Sequence, residues 1–554
     1  MRVLGLLYIG CETVWYHCID GEASRARILH VQGVDSNGVW GDPTIAKLSP
    51  KDLLRAEADA HAIFSRYIGE SVPQRIGEPV YVDEVGGMVL ELVGACWRMP
   101  ELAHTQATLS NTFSEVIKYD NDHAIEIAAP ITARDRPVFG EVRAVIDEVI
   151  LGQLSQVVRQ TAHREPELSL FEYYGLLPKI KKLAERSVRE DAGREGTNNA
   201  SSHFQIVKPS TLAALRSLQD KLTERGDVPD GPPGYPGPWF GLVHGDLHGG
   251  NIMVDSRSYA WLIDYGEVED AHLYKDPAKL EACCWFIYTT LPIPARALQR
   301  ASAREIRWWL TLPAAVAEVL AERAKQYSNP LTHETLPELL RAACAASGHA
   351  GKRVDVDEVM LRFAPEAECE EYLREAEIMI SLLMPSADLN LAGQTAMSKG
   401  RFDCPPFITK ERLRMCWEQV TQIRGLLPQA YTSPSKSDTH PFDAHPMQYA
   451  TALFHFTYKM ATQYREPNPY ARRLAAHALE RLSNYFLTWL DGGEIDPNTL
   501  LQSSTNTSAG SVGGLANGAG SNGNTHEGGG SGQPGSFGHS SGMAQLAKEA
   551  RGGG

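Results

Sequence analysis

The stretch His244-Gly245-Asp246-Leu247-His248-Gly249-Gly250-Asn251, followed beyond a hairpin by Leu262-Ile263-Asp264-Tyr265-Gly266, constrains the fold more than any other part of the chain. The apolar runs Ile252-Met253-Val254 and Tyr259-Ala260-Trp261-Leu262-Ile263 flank the turn signal Asp255-Ser256-Arg257-Ser258. They predict a short antiparallel pair with Asn251 and Asp264 at its opposite ends, next to Asp246. In that arrangement Asp246 can accept or orient the proton of an attacking hydroxyl, and Asn251 and Asp264 offer the hard oxygen donors that Mg2+ takes. A surface loop that holds Asp, His and Gly by chance is the plain alternative. Constrained positions set between two strand-like runs favour the site.

These residues resemble the aminoglycoside phosphotransferase and choline kinase branch of the protein-kinase-like superfamily. In that branch the catalytic loop reads His-Gly-Asp-x-x-x-x-Asn and the metal-binding strand end reads Ile-Asp-Phe/Tyr/Trp-Gly. Both patterns are matched, with the spacing from Asp246 to Asn251 intact. The resemblance implies an α+β, bilobal protein-kinase-like fold, with a small β-rich amino lobe and a large helical carboxy lobe. It implies ATP and Mg2+ as cofactors, a small-molecule hydroxyl as acceptor, Asp246 as the catalytic residue, and Asn251 and Asp264 as metal ligands. Gly245 stands where protein kinases carry the arginine that reads a phosphorylated activation loop, which removes one reason to expect that switch.

Such a fold requires a lysine on an amino-lobe strand and a glutamate on the following helix. Thr44-Ile45-Ala46-Lys47-Leu48 is a β-prone run, and Ser49-Pro50 reads as an N-cap with a first-turn proline. A helix is predicted from about Lys51 to Tyr67, with an apolar stripe through Leu53, Ala60, Phe64 and Tyr67 or Ile68 that also carries Glu57. A carboxylate on a buried stripe is costly without a cation, and Lys47 is the nearest candidate. By resemblance, Glu57 holds Lys47 against the nucleotide's α and β phosphates. Further on, Gly86-Gly87 between Tyr81–Val85 and Met88–Val93 signals a two-residue hairpin. The resemblance then places the main chain of Glu91 and Val93 against adenine, with Leu90 beside the base. The phosphate-covering turn is the thinnest match. Asp20-Gly21-Glu22-Ala23-Ser24 holds one glycine, and Ser24 is its candidate phosphate contact.

The chain reaches Asp276-Pro277 within a dozen residues of Asp264, too few for a protein-kinase activation segment. By resemblance Asp276 fits a residue that braces the catalytic loop, and by its place before Pro277 it reads as an N-cap, and both can hold. Glu366, Glu368, Glu370, Glu371, Glu375 and Glu377 form an acidic helix that would suit a cationic acceptor, a solvated face being the commoner role. His244, His248 and His272 do not make a metal site, since imidazole is not the ligand Mg2+ prefers.

The chain has 554 residues, 43% of them hydrophobic, enough for a large core and several domain-sized units. The organisation expected is an amino lobe over 1–93, a carboxy lobe with a helical insertion over 94–390, a helical extension over 391–495, and a flexible Gly/Ser/Asn-rich tail over 496–554. Its formal charge of −15 lacks the basic footprint of a nucleic-acid partner. No apolar stretch approaches a membrane span. Nine scattered cysteines fit reduced thiols in the cytoplasm. Val3–Ile9 reads as the lead-in to the first strand rather than as a signal core. Two rival functions stay open: a nucleotide-binding pseudokinase acting as sensor or scaffold, which the thin glycine turn permits, and an atypical protein kinase, which the short Asp264–Asp276 connection disfavours.

Overall fold

A computed structural model of the protein describes residues 2–19, 26–93, 137–166, 168–183, 185, 207–225, 237–254, 259–288, 298–299, 302–310, 312–327, 335–349, 366–384, 411–431, 446–462 and 469–491. The chain is a mixed α/β structure in which an antiparallel sheet near the amino terminus precedes a mainly helical remainder.

The sheet has the order β1-β2-β3-β5-β4, with β1 at Thr13–Ile19, β2 at Arg27–Val34, β3 at Thr44–Pro50, β4 at Arg75–Val82 and β5 at Val85–Glu91. Ahead of β1, residues Val3–Ile9, expected as its lead-in, include a helix, α1 (Arg2–Leu7), that buries Val3 and Leu4. The glycines of β5 explain how the sheet is covered. A Cβ on Gly87 would stand 2.4 Å from Val3, and one on Gly86 would stand 2.6 Å from Leu54. Adjacent strand residues face opposite sides, so α1 lies on one face and the helix α2 (Lys51–Ile68) on the other. The two glycines therefore serve close packing inside β5, not a turn. The hairpin turns at Asp83-Glu84, where Val82 pairs with Val85 and Asp83 takes a φ of 54°.

On α2 the buried stripe is Leu54, Glu57, Ala58, His61, Phe64 and Ile68, while Leu53 is exposed. The helical period runs through Leu54 because His61, a polar residue, belongs to the buried face and bonds the Pro73 carbonyl at 2.8 Å. Pro50 is the N-cap and offers no side-chain bond, and Ser49, expected there, is buried within β3.

Beyond residue 136, α3 (Pro137–Asp147) runs through a π-helical stretch, Glu148–Leu154, into α4 (Ser155–Thr161). The short strand β6 (His163–Arg164) pairs with β7 (Trp239–Val243), which pairs on its other side with β10 (Glu269–His272). Between them, β8 (Ile252–Val254) and β9 (Ala260–Leu262) form the expected hairpin, Ile252 opposite Leu262. Helix α5 (Lys275–Cys283) follows β10.

One apolar core extends from Phe64 and Ile68 of α2 through Val145, Ile150, Leu247, Ile252 and Leu262 to the last three helices among the described residues, α6 (Glu411–Ala430), α7 (Pro446–Thr462) and α8 (Pro469–Leu490). These late helices supply Trp417, Phe454 and Phe486 to that core. Pro428 lies inside α6, in its last turn. Leu298, Ile306, Val316, Leu320 and Leu340 build a separate cluster.

Helix α5 is fixed by a fully buried ion pair. Glu281 accepts from Arg424 of α6 at 2.9 and 2.5 Å, from Tyr449 of α7 at 2.5 Å, and from Trp285 at 3.0 Å, and Arg424 also donates to the Leu383 carbonyl at 2.6 Å. Burial alone would lower the guanidinium's pKa, and Glu281 outweighs it. A buried pair of this kind is tolerable when its hydrogen-bonding capacity is filled. Among the described residues, no helix is long and apolar enough to cross a membrane.

Candidate functional site

Strand β7 delivers His244 into a loop whose backbone is held from below. The carboxylate of Asp276, in the first turn of α5, accepts from the His244 amide at 2.7 Å and from the Gly245 amide at 2.9 Å. Asp276 was a candidate both for bracing this loop and for capping the helix. The helix starts at Lys275 with Tyr274 as its N-cap, so the carboxylate points to the loop. Burial pushes the Asp276 carboxyl up, against the pull of His244, Lys275 and the two amides. Gly245 takes a φ of 81°, and a Cβ there would stand 1.9 Å from the Glu267 carbonyl oxygen. Only glycine satisfies both conditions.

His244 is fully buried, and its Nε2 bonds the Ile263 carbonyl at 2.9 Å, a contact that requires the proton on Nε2. Burial lowers its pKa, so it is a neutral strut between the two halves of the motif, packed against Phe64 and Tyr265. Asn251 closes the loop by donating from Nδ2 to the Asp246 carbonyl at 3.0 Å and toward its Oδ2 at 3.4 Å. That orientation leaves the Asn251 Oδ1 for another partner. The Gly249 amide donates to the Tyr288 hydroxyl, and the Gly250 amide to His248 Nδ1.

The hairpin brings Asp264 back to the same place. The Ile263 amide bonds the Asn251 carbonyl at 3.0 Å, and Asp264 follows with φ 65° and ψ 74°. A left-handed aspartate is an uncommon, strained conformation of the kind found at ligand sites. Its side chain is 45% exposed, and Oδ1 accepts from Lys47 Nζ at 2.7 Å. The same ammonium donates to Glu57 Oε1 at 2.5 Å. Lys47 and Glu57 are both nearly excluded from water, with 9% and 8% of their side chains exposed. Burial would pull the Lys47 ammonium down, but Glu57 and Asp264 together hold it above its ordinary value. Burial pushes the Glu57 carboxyl up, with Lys47 pulling against it. The structure thus joins Lys47, Glu57 and Asp264 in one contact chain, and Asn251 and Asp246 in another, the two linked through the Asn251–Ile263 backbone bond.

Among the remaining candidates, Glu91 ends β5 and its amide donates to the Gln74 carbonyl at 2.8 Å. Val93 is buried two residues on. Ser24 lies outside the described residues. On the acidic helix, Glu366–Leu383, Glu377 is engaged by Lys208 and by Arg473 at 3.0 Å, and the side chains of Glu366, Glu368, Glu370 and Glu371 lie outside the described residues. The described residues hold no cluster of three or more His, Cys, Asp or Glu suited to a metal. Histidine 272 bonds the Tyr174 hydroxyl at 2.8 Å instead.

Sequence reasoning missed Lys279. It lies one turn after Asp276 on α5, and its Nζ pairs with Asp246 Oδ1. His248 Nε2 stands 3.6 Å from the other oxygen, Oδ2. The signal available was the Asp276-x-x-Lys279 spacing, which puts both side chains on one face of the helix.

The family described as Ternary complex associated domain 9 matches residues 178–346. No curated protein matches. Solved structures similar to the chain include an aminoglycoside phosphotransferase from Alicyclobacillus acidocaldarius, at 12% identity and a TM-score of 0.29, covering 68% of this chain and 96% of that one. A spectinomycin phosphotransferase solved with ADP and spectinomycin is 12% identical, with a TM-score of 0.28, covering 76% of this chain and 97% of that one. A macrolide 2'-phosphotransferase from Brachybacterium faecium is also 12% identical, with a TM-score of 0.24, covering 73% of this chain and 92% of that one. At these TM-scores the likeness carries no weight for the chemistry, which rests on the side chains above.

Proposed function

We propose that this chain is an ATP- and Mg2+-dependent phosphotransferase that moves a γ-phosphate to a hydroxyl of a small molecule. The observation that carries the reading is Lys47, a buried lysine bonded at once to Glu57 on α2 and to Asp264, which lies 217 residues later. An isolated structural lysine needs one carboxylate. One that bridges a helix glutamate and the half-exposed aspartate of a strained turn is set up to exchange the second carboxylate for phosphate oxygens. The same reading includes a bilobal, protein-kinase-like arrangement, with 1–93 as the amino lobe, 94–390 as the carboxy lobe, 391–495 as a helical extension and 496–554 as a tail, and a cytoplasmic setting.

The donor set fits Mg2+, which binds through one or two protein oxygens plus substrate phosphates rather than in an all-protein cage. Asp264 and the outward Oδ1 of Asn251 would hold it, and when bound the ion neutralises charge on the β and γ phosphates. The chain's own residues do the rest. Glu57 fixes Lys47 for the α and β phosphates. The Glu91 carbonyl and the Val93 amide offer an edge to adenine, and Ser24 is the candidate contact in the covering turn. Asp246, with its carboxylate held by Asn251 and Lys279, orients the acceptor hydroxyl and takes its proton as the phosphoryl group arrives.

The test is transfer of label from γ-labelled ATP to pooled metabolites bearing hydroxyl groups. Wild type should label an acceptor or release phosphate to water. Asp246→Asn should lower that rate by about two or more orders of magnitude, the scale of a positioned general base. A wild type that binds Mg-ATP yet transfers nothing, even to water, would replace this reading with a nucleotide sensor.

A further inference from the structure

Each of the two carboxylates facing the reaction has its own lysine. Asp264 holds Lys47, and Asp246 holds Lys279. The two lysines come from opposite directions, Lys47 from β3 and Lys279 from α5. The helix that carries Lys279 is anchored by the buried Glu281–Arg424 pair, and its Asp276 already braces the loop backbone. Lys279 has 16% of its side chain exposed and Asp246 has 35%, so the pair opens to the site while its stem is packed.

Resting on the phosphotransferase reading, we propose that Lys279 is a second phosphate-binding lysine, one that contacts the γ-phosphoryl group in particular. The argument is one of reach. A hydroxyl oriented by Asp246 lies about 2.6–3.2 Å from a carboxylate oxygen. The phosphorus it attacks is about 3–3.5 Å farther on. An ammonium paired with the same carboxylate, itself about 2.7–2.9 Å away, is therefore no farther than about 9 Å from that phosphorus and nearer wherever the three legs bend, and rotation about its terminal carbon–carbon bonds shortens the gap. Lys47 is committed on the other side, between Glu57 and Asp264, where the α and β phosphates would lie. The loop itself places an imidazole, His248, near Asp246, and no lysine. A fixed cation at the γ position is worth most where charge spreads over the equatorial oxygens in transfer. In the unliganded protein the same ammonium keeps Asp246 paired.

The experiment compares binding of Mg-ADP and Mg-AMP-PNP by calorimetry in wild type, Lys279→Met, Lys279→Arg and Lys47→Met. It needs no turnover and no known acceptor. Lys279→Met should weaken Mg-AMP-PNP by about 10- to 100-fold, the scale of a charge-assisted hydrogen bond, and leave Mg-ADP within about threefold. Lys279→Arg should keep most of the preference for the triphosphate, and Lys47→Met should weaken both nucleotides together. An unchanged ratio of the two affinities in Lys279→Met, whether both hold or both fall, would overturn the γ-phosphate role and leave the phosphotransferase reading standing. Wild type that binds neither nucleotide would overturn the phosphotransferase reading itself, and this proposal with it.

Discussion

Replacing Asp276 tests the physical basis of the loop without assuming any activity. Its two oxygens accept the His244 and Gly245 amides at 2.7 and 2.9 Å, and the residue is 1% exposed, so water cannot take their place. Asp276→Asn keeps one acceptor and turns an NH2 group toward the other amide. A hydrogen bond to a charged acceptor contributes about 1.5–3 kcal/mol, and an unsatisfied buried donor costs about 1–3 kcal/mol. Burial of the carboxylate outweighs the extra strength that its charge lends these bonds, as the raised Asp276 pKa indicates, so the stranded amides set the loss. The expected loss is therefore about 2 kcal/mol for Asp276→Asn and about 3–5 kcal/mol for Asp276→Ala, which strands both amides. Urea denaturation followed by circular dichroism reads these values directly. The loop would also shift Asp246, and a displacement of about 1 Å lowers turnover by about 100-fold. Losses below about 0.5 kcal/mol in both variants, the range of ordinary surface substitutions, would refute the bracing role.

Lys47 and Glu57 should behave as one unit: a double-mutant cycle of Lys47→Ala and Glu57→Ala on nucleotide affinity is expected to give a coupling of about 1–3 kcal/mol, and strict additivity would break the pairing. Histidine 272 should make the fold acid-sensitive. Burial holds its imidazole down to about 3, whereas the unfolded chain binds that proton near pH 6.5. The stability it contributes is thus present above about pH 6.5 and is lost as pH falls toward 3, about 2 kcal/mol of it by pH 5. Denaturation at pH 7 and pH 5 should show a shallower pH dependence in His272→Gln than in wild type, and equal slopes would count against the buried neutral imidazole.

The site was legible in the sequence wherever its chemistry is local. His244 to Asn251 and Asp264 are tied by a loop and a three-residue hairpin, so spacing alone brings them together. Lys47 and Glu57 were legible because a charged residue on a buried helical stripe demands a partner within reach. The register of that stripe was misread at Leu53, since the buried face continues through His61, whose acceptor, the Pro73 carbonyl, lies beyond the helix. Gly86 and Gly87 suggested a turn because glycine serves both tight turns and close packing, and only the positions of Val3 and Leu54 separate the two. Lys279 was missed because its partner, Asp246, lies 33 residues away across the helix–loop contact, and the Asp276-x-x-Lys279 spacing is a weak signal by itself. The acidic helix illustrates the converse. Its composition fitted a solvated face first and a ligand surface second, and nothing in the sequence near it showed that Lys208 and Arg473, far apart in the chain, claim Glu377.

The most direct test of the central claim is calorimetry of Mg-ATP with wild type, Asp264→Asn and Asp246→Asn, each with and without Mg2+. Asp264 supplies a metal oxygen in this account and Asp246 does not. Wild type and Asp246→Asn should therefore bind with comparable, Mg2+-dependent affinity, while Asp264→Asn should bind weakly and lose its metal dependence. Equal affinity and equal metal dependence in all three proteins would mean that the Asp246–Asn251–Asp264 constellation is not a phosphotransfer centre.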